Sequence, residues 1–249
     1  MRRRSLTELA NNPDLISGIY NYCDRWCERC PLTSRCLVYA TEQDDNDSPQ
    51  SRDIRNAEFW EKLNAIFLET REMVVEWAQN AGVDLNAPAE EDRARNRKKR
   101  QLVDNHPLTT AGKKYANAAS DWFREYDQTI EVCDRHEDAR EVIQWYQYQI
   151  AVKTIRALSG RKEELEEEAE LGEFPKDSDG SAKVALIGID RSIAAWRMMQ
   201  LSLPERAGSM VPLILQLERL RQRLENFFPE ARDFIRPGFD EFSVVCGQH

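Results

Sequence analysis

The sequence predicts an all-α protein, a helical bundle of about five long helices with an N-terminal cysteine-rich metal-binding segment. Long stretches carry apolar residues at intervals of three and four, which is the spacing of one helix face. Neither a series of alternating strands nor an internal repeat interrupts these stretches. Apolar residues make up 41% of the chain and charged residues 32%, a balance typical of a helix-rich globular protein.

The chain is predicted to divide into two parts. Residues 1–41 hold a short helix over 5–20, begun by Ser5 with Glu8 in the capping-box position and interrupted at Asn11-Asn12-Pro13, and then the cysteine-rich segment. Residues 42–53 are acidic and rich in helix-breaking residues, which indicates a linker. Residues 54–249 are predicted to form the helical bundle domain.

The five long helices are predicted over residues 54–81, 109–133, 137–158, 181–203 and 210–227. Between them, a basic run over 93–100 is expected to be a solvated loop or helix face. Residues 163–170 are expected to be an acidic, solvated helical extension, and 175–180 a turn. The tail after 228 is expected to be packed but irregular.

The last long helix has the clearest pattern, with apolar residues alternating by three and four from Met210 to Phe227. Such a stripe is what bundle packing requires, and it could equally form the seam of a homodimer. Polar residues interrupt the two preceding helices, and some are expected to face one another across the core as an ion-pair network. These are Glu141, Gln144, Gln149, Lys153, Arg156, Lys183, Asp190 and Arg191.

Four of the six cysteines lie within residues 23–36, at the spacing C-x3-C-x2-C-x5-C. They are Cys23, Cys27, Cys30 and Cys36. A chain without a secretory signal is expected in a reducing compartment, where clustered cysteines are more often metal ligands than disulfides. Four thiolates suit zinc or an iron–sulfur cluster. The single compact C-x2-C and the proline after Cys30 favour a [4Fe–4S] cluster over Zn²⁺.

Two other readings of these cysteines stay open, buried thiols and a disulfide. Cys23, Cys27 and Cys30 are spaced i, i+4, i+7, so they could also lie on one face of a helix as small apolar residues. Cys36 lies beyond Pro31 and does not continue that face. Under the metal reading, three nearby arginines would offset the negative charge of the cluster, and a tryptophan would shield it. These residues are Arg25, Arg29, Arg35 and Trp26.

Residues 27–40, CERCPLTSRCLVYA, resemble the cluster-binding segment of the WhiB-like iron–sulfur proteins. The resemblance implies that Cys27, Cys30 and Cys36 are ligands of a redox-sensitive [4Fe–4S] cluster. The same C-x2-C-x5-C spacing occurs in FNR-type oxygen-sensing regulators. The resemblance does not carry transcriptional regulation, because that family's basic DNA-binding tail is missing here. Cys23 is the expected fourth ligand, with Cys133 or Cys246 as alternatives.

Composition and missing motifs narrow the function further. The net charge of −9 and pI near 5.1 argue against nucleic-acid binding, which requires a cationic surface. No apolar run reaches the length of a membrane span, and no signal peptide is recognised, so we expect a cytoplasmic protein. Because no histidine follows a glutamate at the Glu-x-x-His spacing, a di-iron centre is not expected. Nucleotide loops and nucleophile elbows are also missing, so we name no catalytic residue.

The expected function is therefore redox sensing or electron transfer to a protein partner that the sequence does not identify. The alternative is a non-enzymatic helical scaffold with a structural zinc site formed by the same four cysteines. An enzyme that uses the bundle interior is a third reading.

Overall fold

The computed structural model describes residues 9, 11–44, 53–85, 90–126, 134–171 and 177–240. Within these ranges it has no strand, which confirms the all-α prediction. Seven α-helices have their bounds there: α1 Leu37–Asp44, α2 Ala57–Ala81, α3 Glu90–Asp104, α4 Pro107–Tyr126, α5 Asp134–Leu171, α6 Asp177–Ser202 and α7 Ala207–Phe227. The count exceeds five because α1 and α3, which have weak apolar patterns, are also helical. None of the described helices is long and apolar enough to cross a membrane.

Helices α4 to α7 form a four-helix bundle in which each helix packs on its neighbours in the chain, and α7 closes the ring on α4. The helices in contact run antiparallel. In α5 and α6, Tyr146 lies beside Gly188 whereas Gly160 lies beside Ser178. In α4 and α7, Trp122 donates a hydrogen bond to Ser209, and the rings of His106 and Phe227 meet at the other end. This is the up-and-down topology that short connections favour.

The core of the bundle is a continuous set of apolar and aromatic side chains. Trp196 and Tyr115 are fully buried at its centre, where the Trp196 indole donates a 3.0 Å hydrogen bond to the Tyr115 hydroxyl. The α7 stripe predicted from the sequence lies in this core. Met210, Leu217 and Leu224 have no exposed surface. Phe227 at the end of the stripe is 44% exposed, and a homodimer stays a prediction.

Helix α6 begins at Asp177, so the turn predicted over 175–180 is wrong for residues 177–180; residues 172–176 lie outside the described ranges. The reason is a tertiary cap. Glu164, on the acidic extension of α5, is buried and accepts hydrogen bonds of 2.7 Å from both the backbone N–H and the hydroxyl of Ser178. A carboxylate here satisfies donors that the first turn of α6 leaves open, and it complements the positive end of the helix dipole.

Replacing Glu164 with alanine is expected to lower the free energy of unfolding by about 1–3 kcal/mol, because it leaves a buried N–H and hydroxyl unpaired. Urea unfolding followed by circular dichroism measures the change. Glu137→Ala, at an exposed position of the same helix, is the matched control and is expected to change stability by less than about 0.5 kcal/mol. Equal effects of the two substitutions would contradict the capping role.

Residues 11–13 are not helical, as the interruption predicted there requires, but the helix predicted to continue over 14–20 is wrong, because these residues form turns, a bend and the start of a 3-10 turn; residues 1–8 and 10 lie outside the described ranges. Three short 3-10 turns follow at Ile19–Asn21, Cys27–Arg29 and Thr33–Arg35. The reading that placed the cysteines on one helix face is therefore wrong as well. The backbone N–H of Ile16 donates to the Arg35 carbonyl at 2.9 Å and closes the segment into a compact loop.

Helices α2 and α3 contribute little to the core. Among the described residues of α2 only Ala78 is buried, and large apolar side chains such as Trp60, Phe67 and Trp77 are exposed. The basic run lies on α3, where most of its described side chains are exposed, as expected for a solvated helix face. The division into a segment over 1–41, a linker over 42–53 and a bundle domain over 54–249 stays a prediction.

Candidate metal centre

The four predicted cysteines line one pocket, which we call the cysteine pocket. Its walls come from the loop over residues 19–39 and from Phe239 near the end of the described chain. Cys23, Cys27, Cys30 and Cys36 are all partly exposed, and none is in a disulfide. The alternative ligands Cys133 and Cys246 lie outside the described residues.

The thiols of the cysteine pocket are close enough to affect one another. Burial is the main cause that raises the pKa of Cys27, and Glu42 and the other three cysteines raise it further. Burial also raises the pKa of Cys30, although the backbone N–H of Leu32 opposes that shift by donating to the Cys30 sulfur at 3.4 Å. Backbone N–H groups that donate to sulfur are among the features that tune iron–sulfur clusters.

The donor set is right for a thiolate-held metal, but the sulfurs do not converge on one point. In the ranges that the structure describes, no three His, Cys, Asp or Glu side chains are placed to hold a metal ion. The cysteine pocket encloses about 20 Å³, which is room for roughly one water molecule. Either a cluster or a zinc ion would therefore require side chains of this loop to move. The 3-10 turns at Cys27–Arg29 and Thr33–Arg35 are short elements that allow such adjustment.

Asp24 fastens the cysteine loop to the bundle. Its carboxylate accepts hydrogen bonds from the Tyr146 hydroxyl on α5 and from Arg191 on α6, the latter at 2.8 Å. Its backbone carbonyl accepts from the indole of Trp145 at 3.0 Å and from the amide of Gln149. Burial and the hydrogen bond to Asp24 raise the pKa of Tyr146, so the phenol stays protonated and remains a donor.

Trp26 covers the cysteine pocket from the bundle side. It is 6% exposed and stacks on Trp145, with 5.0 Å between the ring centroids. The Arg29 guanidinium lies over the Trp26 ring, 4.3 Å from its centroid. Arg29 also forms ion pairs with Asp138, at 2.9 Å, and with Glu141. Asp138 and Glu141 therefore compensate the positive charge of Arg29, which was predicted to offset the negative charge of a cluster.

Lys153 is a further cation at this site, although its sequence position predicted a place in an ion-pair network across the core. It is 8% exposed, and its ammonium donates a 3.2 Å hydrogen bond to the carbonyl of Asn21. Burial lowers the pKa of Lys153, whereas nearby Cys23 acts in the opposite direction. A buried lysine within electrostatic range of a thiol is suited to balance a thiolate.

The predicted ion-pair network across the α5–α6 core is therefore wrong in its partners. Gln149, Lys153 and Arg191 hold the N-terminal loop. Lys183 forms a 2.9 Å ion pair with Asp240 of the tail, and Asp190 pairs with Arg221 and Arg232. These helices carry polar residues because chain segments distant in sequence pack on them. The only signal available was the polarity itself, which does not indicate a partner.

A close backbone approach completes the docking of the loop. The ring of Tyr22 lies against Gly180 on α6 and packs on Phe234, with 4.8 Å between ring centroids. A Cβ at Gly180 would lie 2.4 Å from the Tyr22 ring. Gly238, whose φ of 75° favours glycine, lets Ile16 approach the tail in the same way.

A larger cavity adjoins the cysteine pocket, and we call it the arginine cleft. Its volume is about 640 Å³. Cys23, Asp24, Trp26, Cys30 and Phe239 line both cavities. The remaining wall is formed by side chains of α5 and α6 together with Arg29, Pro31 and Arg236. The cysteine loop therefore separates a small thiol-lined pocket from a cleft large enough for an organic molecule.

No protein-family model, curated protein or solved structure matches the chain significantly. The resemblance of residues 27–40 to the WhiB-like proteins accordingly stays an inference from the motif.

Proposed function

We propose that the protein is an iron–sulfur protein that holds a [4Fe–4S] cluster on Cys23, Cys27, Cys30 and Cys36 and acts in redox sensing or electron transfer. One observation carries the proposal: all four cysteines of the motif line a single pocket, although no α-helix or strand places them there. A bound cluster would accept or donate one electron. The expected partner is a protein, and nothing in the described residues identifies it.

The protein residues around the pocket have defined tasks in this proposal. The four thiolates would hold the iron, and the Leu32 N–H would donate to the Cys30 sulfur. Trp26, which contacts both the Arg29 guanidinium and the Trp145 ring, would limit the access of water from the bundle side. Lys153 would compensate part of the negative charge that four thiolates bring into a partly buried site.

The same donor set supports structural zinc as the second candidate, since four thiolates also make a closed tetrahedral site. Cys30-Pro31 and the compact spacing favour the cluster. The zinc candidate can be tested by chelation. Trp26 belongs both to the apolar core and to the wall of the cysteine pocket, so removing a structural zinc ion should destabilise the fold.

Metal and acid-labile sulfide analysis of the full chain, purified without oxygen, tests the proposal. We expect about four irons and four sulfides per chain and a broad absorption band near 400 nm. One zinc without sulfide would replace the cluster proposal with the zinc candidate. Protein containing neither group after anaerobic reconstitution with iron and sulfide would overturn both candidates.

Serine substitutions identify the ligands. Cys27→Ser and Cys30→Ser are each expected to reduce the iron content by more than half, because a cluster with three thiolates is held weakly. Cys133→Ser and Cys246→Ser are matched controls and should keep the full iron content. A loss of iron in one of these two, combined with retention in Cys23→Ser, would move the fourth ligand away from Cys23.

A further inference from the structure

The arginine cleft has the size of a small-molecule site. Its volume of about 640 Å³ lies inside the range of roughly 300–1,000 Å³ that such sites occupy. Three parts of the chain form its walls: the cysteine loop, the facing sides of α5 and α6, and the tail at Phe239.

Small side chains create the space between α5 and α6. Ala139 and Ala195 are buried and face the cleft from the two helices, and Ala194 lines it one residue earlier. Val142 and Met198 extend the same surface. A ligand lying here would therefore contact an apolar floor, which suits a hydrocarbon or aromatic body.

Two arginines at the edge of this floor retain donors for an anion. The hydrogen bonds that Arg191 makes to described residues all come from Nη1, to Asp24 and to the Tyr146 hydroxyl. Those of Arg29 all come from Nη2. A guanidinium has five N–H donors in a planar fork that matches a carboxylate or a phosphate. Within the described residues, Nε and one Nη of each arginine have no such partner.

The cleft lining carries more positive than negative charge. Arg29, Arg191 and Arg236 line it, against Asp24 and Asp138. Arg236 is used by the tail, because its Nε and Nη2 donate to the Asp240 carboxylate at 3.1 and 2.9 Å. Arg29 and Arg191 also have carboxylate partners, but each keeps N–H donors that have no partner among the described residues.

We propose that the arginine cleft binds a small organic anion, a carboxylate or phosphate ester, whose charged group contacts Arg191 and Arg29 and whose apolar body lies on the α5–α6 floor. The consequence of binding rests on the proposed iron–sulfur function. Because Cys23 and Cys30 line both cavities, a ligand in the cleft would lie against the cysteine loop and change the surroundings of a cluster held there.

Calorimetric titration with a matched set of probes tests the cleft by itself. The probes are 2-naphthoate, 2-naphthyl phosphate and the neutral 2-naphthamide, which share one aromatic body. We expect at least one anion to bind to the full-length protein at least tenfold more tightly than the amide. Equal binding of all three, or saturable binding of none, would overturn the proposal.

Variants locate the bound anion. Arg191→Gln and Arg29→Gln are each expected to lower the affinity for the anion at least tenfold. Arg197→Gln, on α6 outside the cleft, should leave that affinity unchanged. Ala194→Leu fills the cleft from an exposed position and should also abolish binding, with Ala65→Leu on α2 as its control. Circular dichroism checks that each variant is folded. Unchanged affinity in Ala194→Leu would place the probe elsewhere and overturn the assignment.

The ligand-binding proposal and the iron–sulfur proposal can be rejected independently of each other. If the anions bind to a protein that holds no iron and sulfide, the cleft is retained and the iron–sulfur function is rejected. If the protein holds iron and sulfide but binds neither anion, the cleft is rejected alone. If both are present, adding the anion should change the absorption spectrum of the cluster in the unmodified protein but not in Ala194→Leu.

Discussion

Replacing Asp24 with alanine is expected to release the cysteine loop from the bundle and to lower the free energy of unfolding by about 1–3 kcal/mol. The Tyr146 hydroxyl donates to this carboxylate, and Tyr146 is 1% exposed, so the substitution leaves a buried donor unpaired. The Arg191 side chain is 55% exposed, and its ion pair with Asp24 is expected to add little. The carboxylate also accepts a 3.2 Å hydrogen bond from the backbone N–H of Trp26. Most of the loss therefore comes from these two donors, the Tyr146 hydroxyl and the Trp26 N–H.

Urea unfolding of Asp24→Ala measures this loss, and hydrogen exchange over residues 16–36 reports the release of the loop. Asp24→Asn keeps an oxygen that can accept from Tyr146 and should recover part of the stability. Asp14→Ala, at an exposed position in the same loop, is the control and should change stability by less than about 0.5 kcal/mol. The docking role would be refuted if Asp24→Ala behaved like Asp14→Ala.

If the iron–sulfur function is right, Asp24→Ala should also lose iron to a chelator several-fold faster than the unmodified protein. Asp24 does not contribute a sulfur, so its effect would come through the position of the loop. A large loss of stability without a change in the rate of iron release would show that the loop and the metal are independent.

Gly180→Ala is expected to be the second severe substitution, with a loss of about 1–3 kcal/mol from overpacking. The added methyl group would lie 2.4 Å from the Tyr22 ring and 2.7 Å from the Phe234 ring, so both rings must shift. Gly208→Ala is a matched control in the first turn of α7, where a Cβ meets nothing within 4 Å. It should be neutral or stabilise the protein by up to about 1 kcal/mol.

If this packing is correct, thermal unfolding should show a lower melting temperature for Gly180→Ala and an unchanged or higher one for Gly208→Ala. Combining Gly180→Ala with Tyr22→Ala should cost less than the sum of the single substitutions, because the ring that clashes has been removed. Additive effects would indicate that the loss in Gly180→Ala does not arise from the contact with Tyr22.

The long amphipathic helices were predictable because their signal is local. In α7 the repeat from Met210 to Leu224 is carried by the residues themselves, and the bundle needed only to bury it. The start of α6 was missed because Asp177 to Gly180 resemble a turn locally. A carboxylate 14 residues away, on Glu164, caps that end and makes the helix favourable.

The cysteine motif was equally visible in the sequence, but the loop conformation was not. A spacing of i, i+4, i+7 fits a helix as well as a series of turns, and only the contacts of Asp24 and Trp26 with α5 decide between them. These contacts join residues more than 100 positions apart. No local pattern records such a pairing, because each partner is an ordinary polar or aromatic residue by itself.

The sequence alone determined the all-α class, the helices with strong apolar periodicity and the set of four clustered cysteines. The tertiary structure decided where the polar residues of α5 and α6 find partners, and it placed Lys153 beside the cysteine pocket and opened the arginine cleft. The physical reason is the range of the interactions. Periodicity acts over a few residues along one helix, whereas a buried polar group or a cavity depends on whichever distant segments the packed bundle brings together.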